Sequence, residues 1–213
     1  MVAIIISVVA MVILVAIDLV SKYLIVSTFG VTDQLIHGHD YMNTLAGTIE
    51  PIELIPGVLR FKLVVNDGAM MGMLDNARWV FMVLSTVAII AVFVYLFWKK
   101  PQNKLQLISL TLITAGGIGN MVDRSFLGYV IDFIDFCAFP QIWKWTFNFA
   151  DSCVTIGAVM LALWMIIDIV KDTKKNQIKV TAEGAASEDA GAGEYCDAET
   201  EESEESGEEN GKA

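Results

Sequence analysis

The sequence is poor in the residues that build metal and disulfide sites. It has three cysteines, Cys137, Cys153 and Cys196, with no C-x-x-C spacing, and two histidines, His37 and His39, both in one polar segment. A zinc site or a disulfide framework needs ligands clustered at short spacings, so neither is expected. The H-x-H pair reads instead as part of a solvated loop. The N-terminus also lacks the marks of a cleavable signal: it has no basic n-region, and its long apolar run ends without a small-residue cleavage site. Excess charge is absent from most of the chain. The net charge of −11 resides in the segment Glu183–Ala213, which carries twelve acids and one lysine, while the residues before it balance thirteen acids against thirteen bases. A neutral body offers no surface for a polyanion, so nucleic acid is not an expected partner.

Apolar residues, by contrast, are abundant. They make up 55% of the chain, against roughly 45–50% in ordinary soluble domains, which points to a membrane protein and makes the lipid bilayer its first partner. Four segments, near Val2–Val26, Trp79–Trp98, Leu105–Met121 and Phe149–Val170, are of spanning length, which takes about 20 helical residues. The basic stretches "KKPQNK" and "KDTKKNQIK" lie hard against span ends, and the positive-inside rule makes both cytoplasmic. Both termini are then expected inside, with residues 27–78 and 124–148 outside. Within the first outer segment, "VLRFKLVV" alternates apolar with basic residues, as a half-buried strand does. Pro51, Pro56 and the "NDG" turn bound it. Upstream, "GVTDQLIHGHDYMNTLAGT" shows no period and reads as an irregular insertion. The expected organisation is a four-span helical membrane domain over residues 1–178. Residues 179–213, rich in Glu, Ser, Ala and Gly with little to bury, are expected to form a disordered acidic cytoplasmic tail.

Ionisable groups inside a span are costly, which makes them functional candidates. Helical rise, about 1.5 Å per residue, places Asp123 roughly 29 Å from Lys104, Asp151 roughly 30 Å from Lys171 and Asp18 roughly 26 Å from Met1. Asp18, Lys22, Asn120, Asp123, Arg124, Asn148 and Asp151 therefore gather at one outer boundary, arriving from three helices. Plainer roles remain open for each. Asp18 and Lys22, four apart, can form an ion pair on one helical face. Adjacent Asp123 and Arg124 suit a scaffold that neutralises a helix end or pairs with nearby strands. Gly116, Gly117 and Gly119 can let helices approach closely. In "GYVIDFIDF", Asp132 and Asp135 each lie among large apolar residues with no cation beside them, so desolvation would raise either pKa. One of them opposite Asp151 could share a proton, the charged member activating water and the neutral member protonating a carbonyl oxygen or leaving group. Nothing in the spacing separates Asp132 from Asp135. Serine chemistry at Ser152 ranks behind, because no His or Lys is linked to it by a motif. A non-enzymatic transporter would show polar groups near mid-membrane and matching halves, and this chain shows neither.

The motifs "DLVSK", "NDGAMMG", "GGIGNMVDR", "GYVIDFI" and "FNFADS", in this order over roughly Ile4–Val170, resemble those of the lipoprotein signal peptidases, also called signal peptidase II or prolipoprotein signal peptidases. These are bacterial intramembrane aspartic endopeptidases. The resemblance implies a small outer-face β-cradle and catalytic aspartates at Asp132 and Asp151. It implies substrate-binding or supporting positions at Asn66, Gly68, Asn120, Arg124, Asn148 and Ala150, and supporting roles for Asp18, Lys22 and Asp123. It further implies substrates that are diacylglyceryl-modified prolipoproteins, cut just before the lipidated cysteine. No metal or organic cofactor is implied. The chain is expected to act as a monomer in the bacterial cytoplasmic (inner) membrane. One departure is visible: where the family commonly reads N-x-G-A-A-F, this chain has Met71 in place of the aromatic residue.

Overall fold

A computed structural model of the chain describes residues 2–66, 78–101 and 103–205. Gly68, Met70 and Met71 lie outside the described residues. The elements run α1 (Val2–Thr28), a 3-10 turn (Thr32–His37), α2 (His39–Ala46), β1 (Ile52–Ile55), β2 (Leu59–Asn66), α3 (Arg78–Lys99), α4 (Lys104–Phe126), β3 (Val130–Phe136), β4 (Thr146–Phe147) and α5 (Phe149–Glu205). Among the described residues, four helical stretches are long and apolar enough to cross a membrane: Val2–Thr28, Met82–Lys99, Lys104–Phe126 and Phe149–Gln177. The four-span architecture with a small antiparallel sheet is therefore as expected.

The helices invert the soluble pattern. Large side chains such as Ile5, Ile6, Val9, Val12 and Ile13 on α1 are exposed, whereas Ser7, Ser109, Thr111 and Thr114 are buried. The buried hydroxyls donate to backbone carbonyls one turn back, Ser7 to Ala3 at 3.0 Å and Thr114 to Leu110 at 2.7 Å. A polar group in hydrocarbon is thereby satisfied within its own helix, leaving the apolar side chains to face lipid. Glycines then set how closely α4 and α5 approach. A Cβ added at Gly116 would collide with the Ala150 carbonyl, and one at Gly157 would sit 2.9 Å from the Ser109 carbonyl oxygen. Gly117 differs, since a Cβ there would make only ordinary contact with Ile89 at 3.7 Å.

The sheet has the order β1-β2-β3-β4, each pair antiparallel. Between the pairs Phe61↔Ile134 and Val64↔Asp132 the register slips by a bulge in β2. Gly128, at φ 90, turns the chain from α4 into β3, a left-handed conformation that glycine adopts without a Cβ penalty. One face of the sheet packs Leu63, Val65, Ile131 and Phe133 against Ile25, Val26, Val31, Met42 and Ala46.

That last contact corrects the reading of the insertion as irregular. Residues 32–46 hold a 3-10 turn and a two-turn helix, with Met42 and Ala46 buried four apart on one face. The buried Tyr129 donates its hydroxyl to the Leu35 carbonyl at 2.9 Å, tying the insertion to the start of β3. His37 and His39 stand beside Tyr41 and Tyr129, with ring centroids 5.0 and 6.2 Å apart.

Residues up to Trp164 form one compact unit. From Met165 onward the described residues continue α5 to Glu205, into the acidic segment for which composition predicts disorder. Alanine and glutamate in this stretch are strong helix formers and no proline follows Pro140, while Gly184, Gly191 and Gly193 weigh against helix at their positions.

Candidate active site

The site begins at the N-terminus of α5. Asn148 and Asp151 are three apart, and each side chain caps the other's backbone: Asp151 N–H donates to Asn148 Oδ1 at 2.9 Å, and Asn148 N–H donates to Asp151 Oδ2 at 3.2 Å. This is a reciprocal capping box written with Asn and Asp. It fixes the Asp151 carboxylate at the positive end of a helix, where a negative charge is favoured. The neighbouring Ala150 N–H is taken by Asp18 Oδ1 at 2.9 Å, so α1 satisfies a further free N–H of the first turn of α5.

Asn148 also reaches the sheet. Its amide nitrogen donates to Asp132 Oδ1 at 2.7 Å and to Asn120 Oδ1 at 3.0 Å, and Asn148 itself is fully buried. Asn120 in turn donates to Asp151 Oδ1 at 2.7 Å, and Asn66, at the end of β2, donates to Asp132 Oδ2 at 2.9 Å. Asp132 and Asp151 are thus held by one amide network: each oxygen of both carboxyls accepts a hydrogen bond, and Asn148 touches both residues.

Lys22 sets the direction of that network. Its ammonium lies 2.7 Å from Asp18, 2.8 Å from Asp123 and 3.2 Å from Asn120 Oδ1. A cation can only face the carbonyl side of an amide, so Lys22 turns the Asn120 nitrogen toward Asp151. Lys22 and Asp18 are 2% and 1% exposed, which makes this a fully desolvated cluster of one cation and two carboxylates. Asp123 additionally accepts the Ile131 N–H at 3.2 Å, joining α4 to β3. Gly119 makes the close fit possible, since a Cβ there would stand 2.5 Å from Asp18 Oδ2.

Asp123 pairs with the Lys22 ammonium and accepts the Ile131 N–H of β3, while Arg124 Nη1 reaches the Asn120 carbonyl at 3.5 Å. One sequence expectation needs correction. Asp135 does have a cation beside it, because the β2–β3 register brings Arg60 opposite, with Nε donating to Asp135 Oδ2 at 2.7 Å. Asp132 and Asp135 are three apart on a strand, so they point to opposite faces. Only Asp132 meets Asn66 and Asn148. The Asn148–Asp151 spacing of a capping box was present in the sequence, but the odd spacing of Asp132 and Asp135 separates them only once β3 is known to be a strand.

Burial pushes the Asp132 carboxyl up to about 7, and the Asp151 charge pushes in the same direction. The hydrogen bonds from Asn66 and Asn148 and the Lys22 charge oppose the rise without cancelling it. The rise lets Asp132 hold a proton at a higher pH than an ordinary carboxyl, beside a second carboxyl. Between α3, α4 and α5, a cavity of about 200 Å³ is lined by Ile89, Val92, Ile113, Gly117 and Val154. Gly117 and Val154 are each about one helical turn from Asn120 and Asp151.

Comparison with known proteins gives this arrangement a family. The model of signal peptidase (SPase) II matches residues 10–167. A lipoprotein signal peptidase of Lactobacillus johnsonii is 38% identical over 153 residues, covering 70% of this chain and 95% of that one. One of Caldanaerobacter subterraneus is 42% identical over 119 residues, covering 54% and 79% of the two chains. A bacterial membrane enzyme solved by the in meso method at 2.3 Å superposes with a TM-score of 0.59 at 29% identity, covering 78% of this chain and 88% of its own. With residues 10–167 matched by the family model and 78% of its length superposing on a solved bacterial membrane enzyme, the chain belongs to the signal peptidase II family of membrane peptidases.

Proposed function

We propose that this protein removes signal peptides from diacylglyceryl-modified prolipoproteins by hydrolysing the peptide bond just before the lipidated cysteine, with Asp132 and Asp151 as the catalytic pair. The observation that carries the reading is Asn148, which donates to Asp132 at 2.7 Å and caps Asp151. Two carboxyls from separate elements, β3 and α5, are thereby bridged by one amide side chain. Asp132, raised to about 7, is the member that holds the proton and donates it to the scissile carbonyl oxygen. Asp151, the charged member, takes a proton from water as the water attacks the carbonyl carbon. The tetrahedral intermediate collapses when Asp151 protonates the departing cysteine nitrogen and the C–N bond breaks, while Asp132 takes back a proton from a diol hydroxyl as the carbonyl re-forms, so that Asp132 ends protonated and Asp151 charged as at the start.

The other residues fit supporting roles. Asn66, Asn120 and Asn148 orient the carboxyls, and Lys22, Asp18 and Asp123 hold Asn120 and the start of α5. Ala150 and Gly119 give the clearance this packing needs, and Arg124 is a second basic group of the layer beside Lys22; Gly68 keeps the supporting role that the family resemblance implies for it. A pair at the membrane boundary suits a substrate whose lipid tails stay in the bilayer while water reaches the bond, and the apolar cavity beside Asn120 and Asp151 suits the lipid part. The reading includes a monomer in the bacterial cytoplasmic (inner) membrane, both termini inside, with the aspartates at the outer face.

The test is cleavage of a diacylglyceryl-modified prolipoprotein by the purified protein in detergent, with the new N-terminus mapped by mass spectrometry. The expected product begins at the lipidated cysteine, and the same precursor without lipid should not be cut. Cleavage at another bond, or equal cleavage of both precursors, contradicts the proposal.

A further inference from the structure

The connection between β3 and β4, "CAFPQIWKW", carries three aromatic residues in nine, and the proposed chemistry uses none of them. Its rings form a continuous stack. Trp143 meets Trp145, Phe147 and Phe136 edge-on at centroid distances of 5.6, 6.0 and 6.5 Å, and Phe139 lies 6.1 Å from Phe136. The loop is ordered by its own backbone, with Ile142 and Trp143 N–H groups donating to the Phe139 carbonyl at 3.0 and 2.8 Å and Trp143 Nε1 donating to the Trp145 carbonyl at 2.7 Å. Despite this order, its apolar surface is uncovered: Ile142 is 76% exposed, Phe139 59%, Trp145 41% and Trp143 39%.

The loop sits at the end of the sheet farthest from α4. Phe136 pairs with Leu59, and Cys137 N–H donates to the Val58 carbonyl at 2.9 Å, so the β1–β2 turn lies beside it. Ile55 and Val58, in that strand and turn, are exposed as well. Two hairpin tips therefore present one apolar end. A sheet standing upright from the bilayer would put this end in water, with six large side chains uncovered, an unfavourable surface for a water-facing element. A sheet lying along the bilayer would put it among lipid headgroups, where Trp and an adjacent Lys, here Lys144, are the favoured residues.

We infer that the β3–β4 loop and the β1–β2 turn together form an interfacial membrane anchor, inserted at the headgroup–acyl boundary of the leaflet that faces the two aspartates. The partner is the lipid surface itself. The anchor is continuous with the bilayer contact of α5, because β4 is followed directly by Asn148 and the start of that span. Its consequence is positional: the strand carrying Asp132 is tethered to the membrane at one end by α4 and at the other by the loop, so its height above the hydrocarbon is fixed.

The test uses the full chain in phosphatidylcholine nanodiscs with Trp79, Trp98 and Trp164 changed to Phe, so that Trp143 and Trp145 are the emitters. Lipids brominated near the top of the acyl chain should quench the emission at least twofold, and aqueous iodide should quench it several-fold less than a free tryptophan analogue. Strong iodide quenching with no effect of brominated lipid would overturn the inference in favour of a water-facing tip. Quenching by neither would overturn it in favour of a protein cover, such as a second copy. If the triple variant does not fold, the Trp143→Phe/Trp145→Phe pair in the otherwise native chain reads the same quantity as the lipid-quenchable emission it removes. The readout is spectroscopic and needs no substrate, so it stands or falls separately from the catalytic assignment.

Discussion

Replacing Lys22 by Met tests the cluster beneath the proposed catalytic pair. Lys22 is 2% exposed and is the cation shared by Asp18 and Asp123, at 2.7 and 2.8 Å. Met keeps the length and removes the charge, leaving two carboxylates buried against each other. Breaking one buried pair in this way costs roughly 3–5 kcal/mol. In a chain of this size each kcal/mol moves the midpoint by about 2–4 °C, so thermal unfolding in detergent, followed by tryptophan emission, should fall by roughly 6–20 °C. The double change Lys22→Met/Asp123→Asn should recover part of the loss, because one of the stranded charges is then gone. Lys22 also lowers the Asp132 pKa through its charge. The alkaline limb of cleavage in Lys22→Met should therefore move to higher pH, an effect that a loss of packing alone would not produce. A midpoint shift below about 2 °C, or a double variant whose losses simply add, would refute the reasoning.

Other consequences can be measured on the same preparation. If Asp132 must hold a proton to act, kcat/KM should fall about tenfold per pH unit above a midpoint near 7. The same group affects stability. Its folded-state pKa lies above the ordinary unfolded aspartate value of about 3.9, so its favourable contribution is full below that value and is lost as pH rises toward about 7. Asp132→Asn should accordingly be more stable than the native chain at pH 8, by an amount on the order of a few kcal/mol, and show little gain at pH 4. Asp135→Asn, which disturbs only the Arg60 contact on the other face of the sheet, should change cleavage less than about threefold and stability by about 1 kcal/mol. Gly119→Ala should press a methyl against Asp18, displacing it from the Ala150 N–H, and lower stability by roughly 1–3 kcal/mol, read as a lower unfolding midpoint.

The spans were legible because length and apolarity alone define them, and the polar layer followed from helical rise. The strand β3 was harder. "VIDFIDF" is buried on both faces, with Ile131, Asp132 and Phe133 all under 5% exposed, so it lacks the alternation that marked β2. Without a strand assignment, the opposite facing of Asp132 and Asp135 could not be drawn, and the resemblance had to choose between them. The Arg60–Asp135 contact depends on a register set by a bulge, which no local pattern announces. Likewise, Asp123 has an adjacent arginine in sequence but a lysine from another helix in space. The helix in the insertion spans eight residues, too few for its period to stand out, although Met42 and Ala46 carry the i, i+4 spacing.

The central claim is that Asp132 and Asp151 act together on the substrate, and single-turnover cleavage of a diacylglyceryl-modified prolipoprotein by conservative variants tests it most directly. Asp132→Asn and Asp151→Asn, each confirmed as folded by its thermal transition, should both lose at least about 10³-fold in rate, and the double variant should lose little more, as residues acting as one unit do. Near-native cleavage by either single variant, or loss in Asp135→Asn with Asp132→Asn active, would contradict the account.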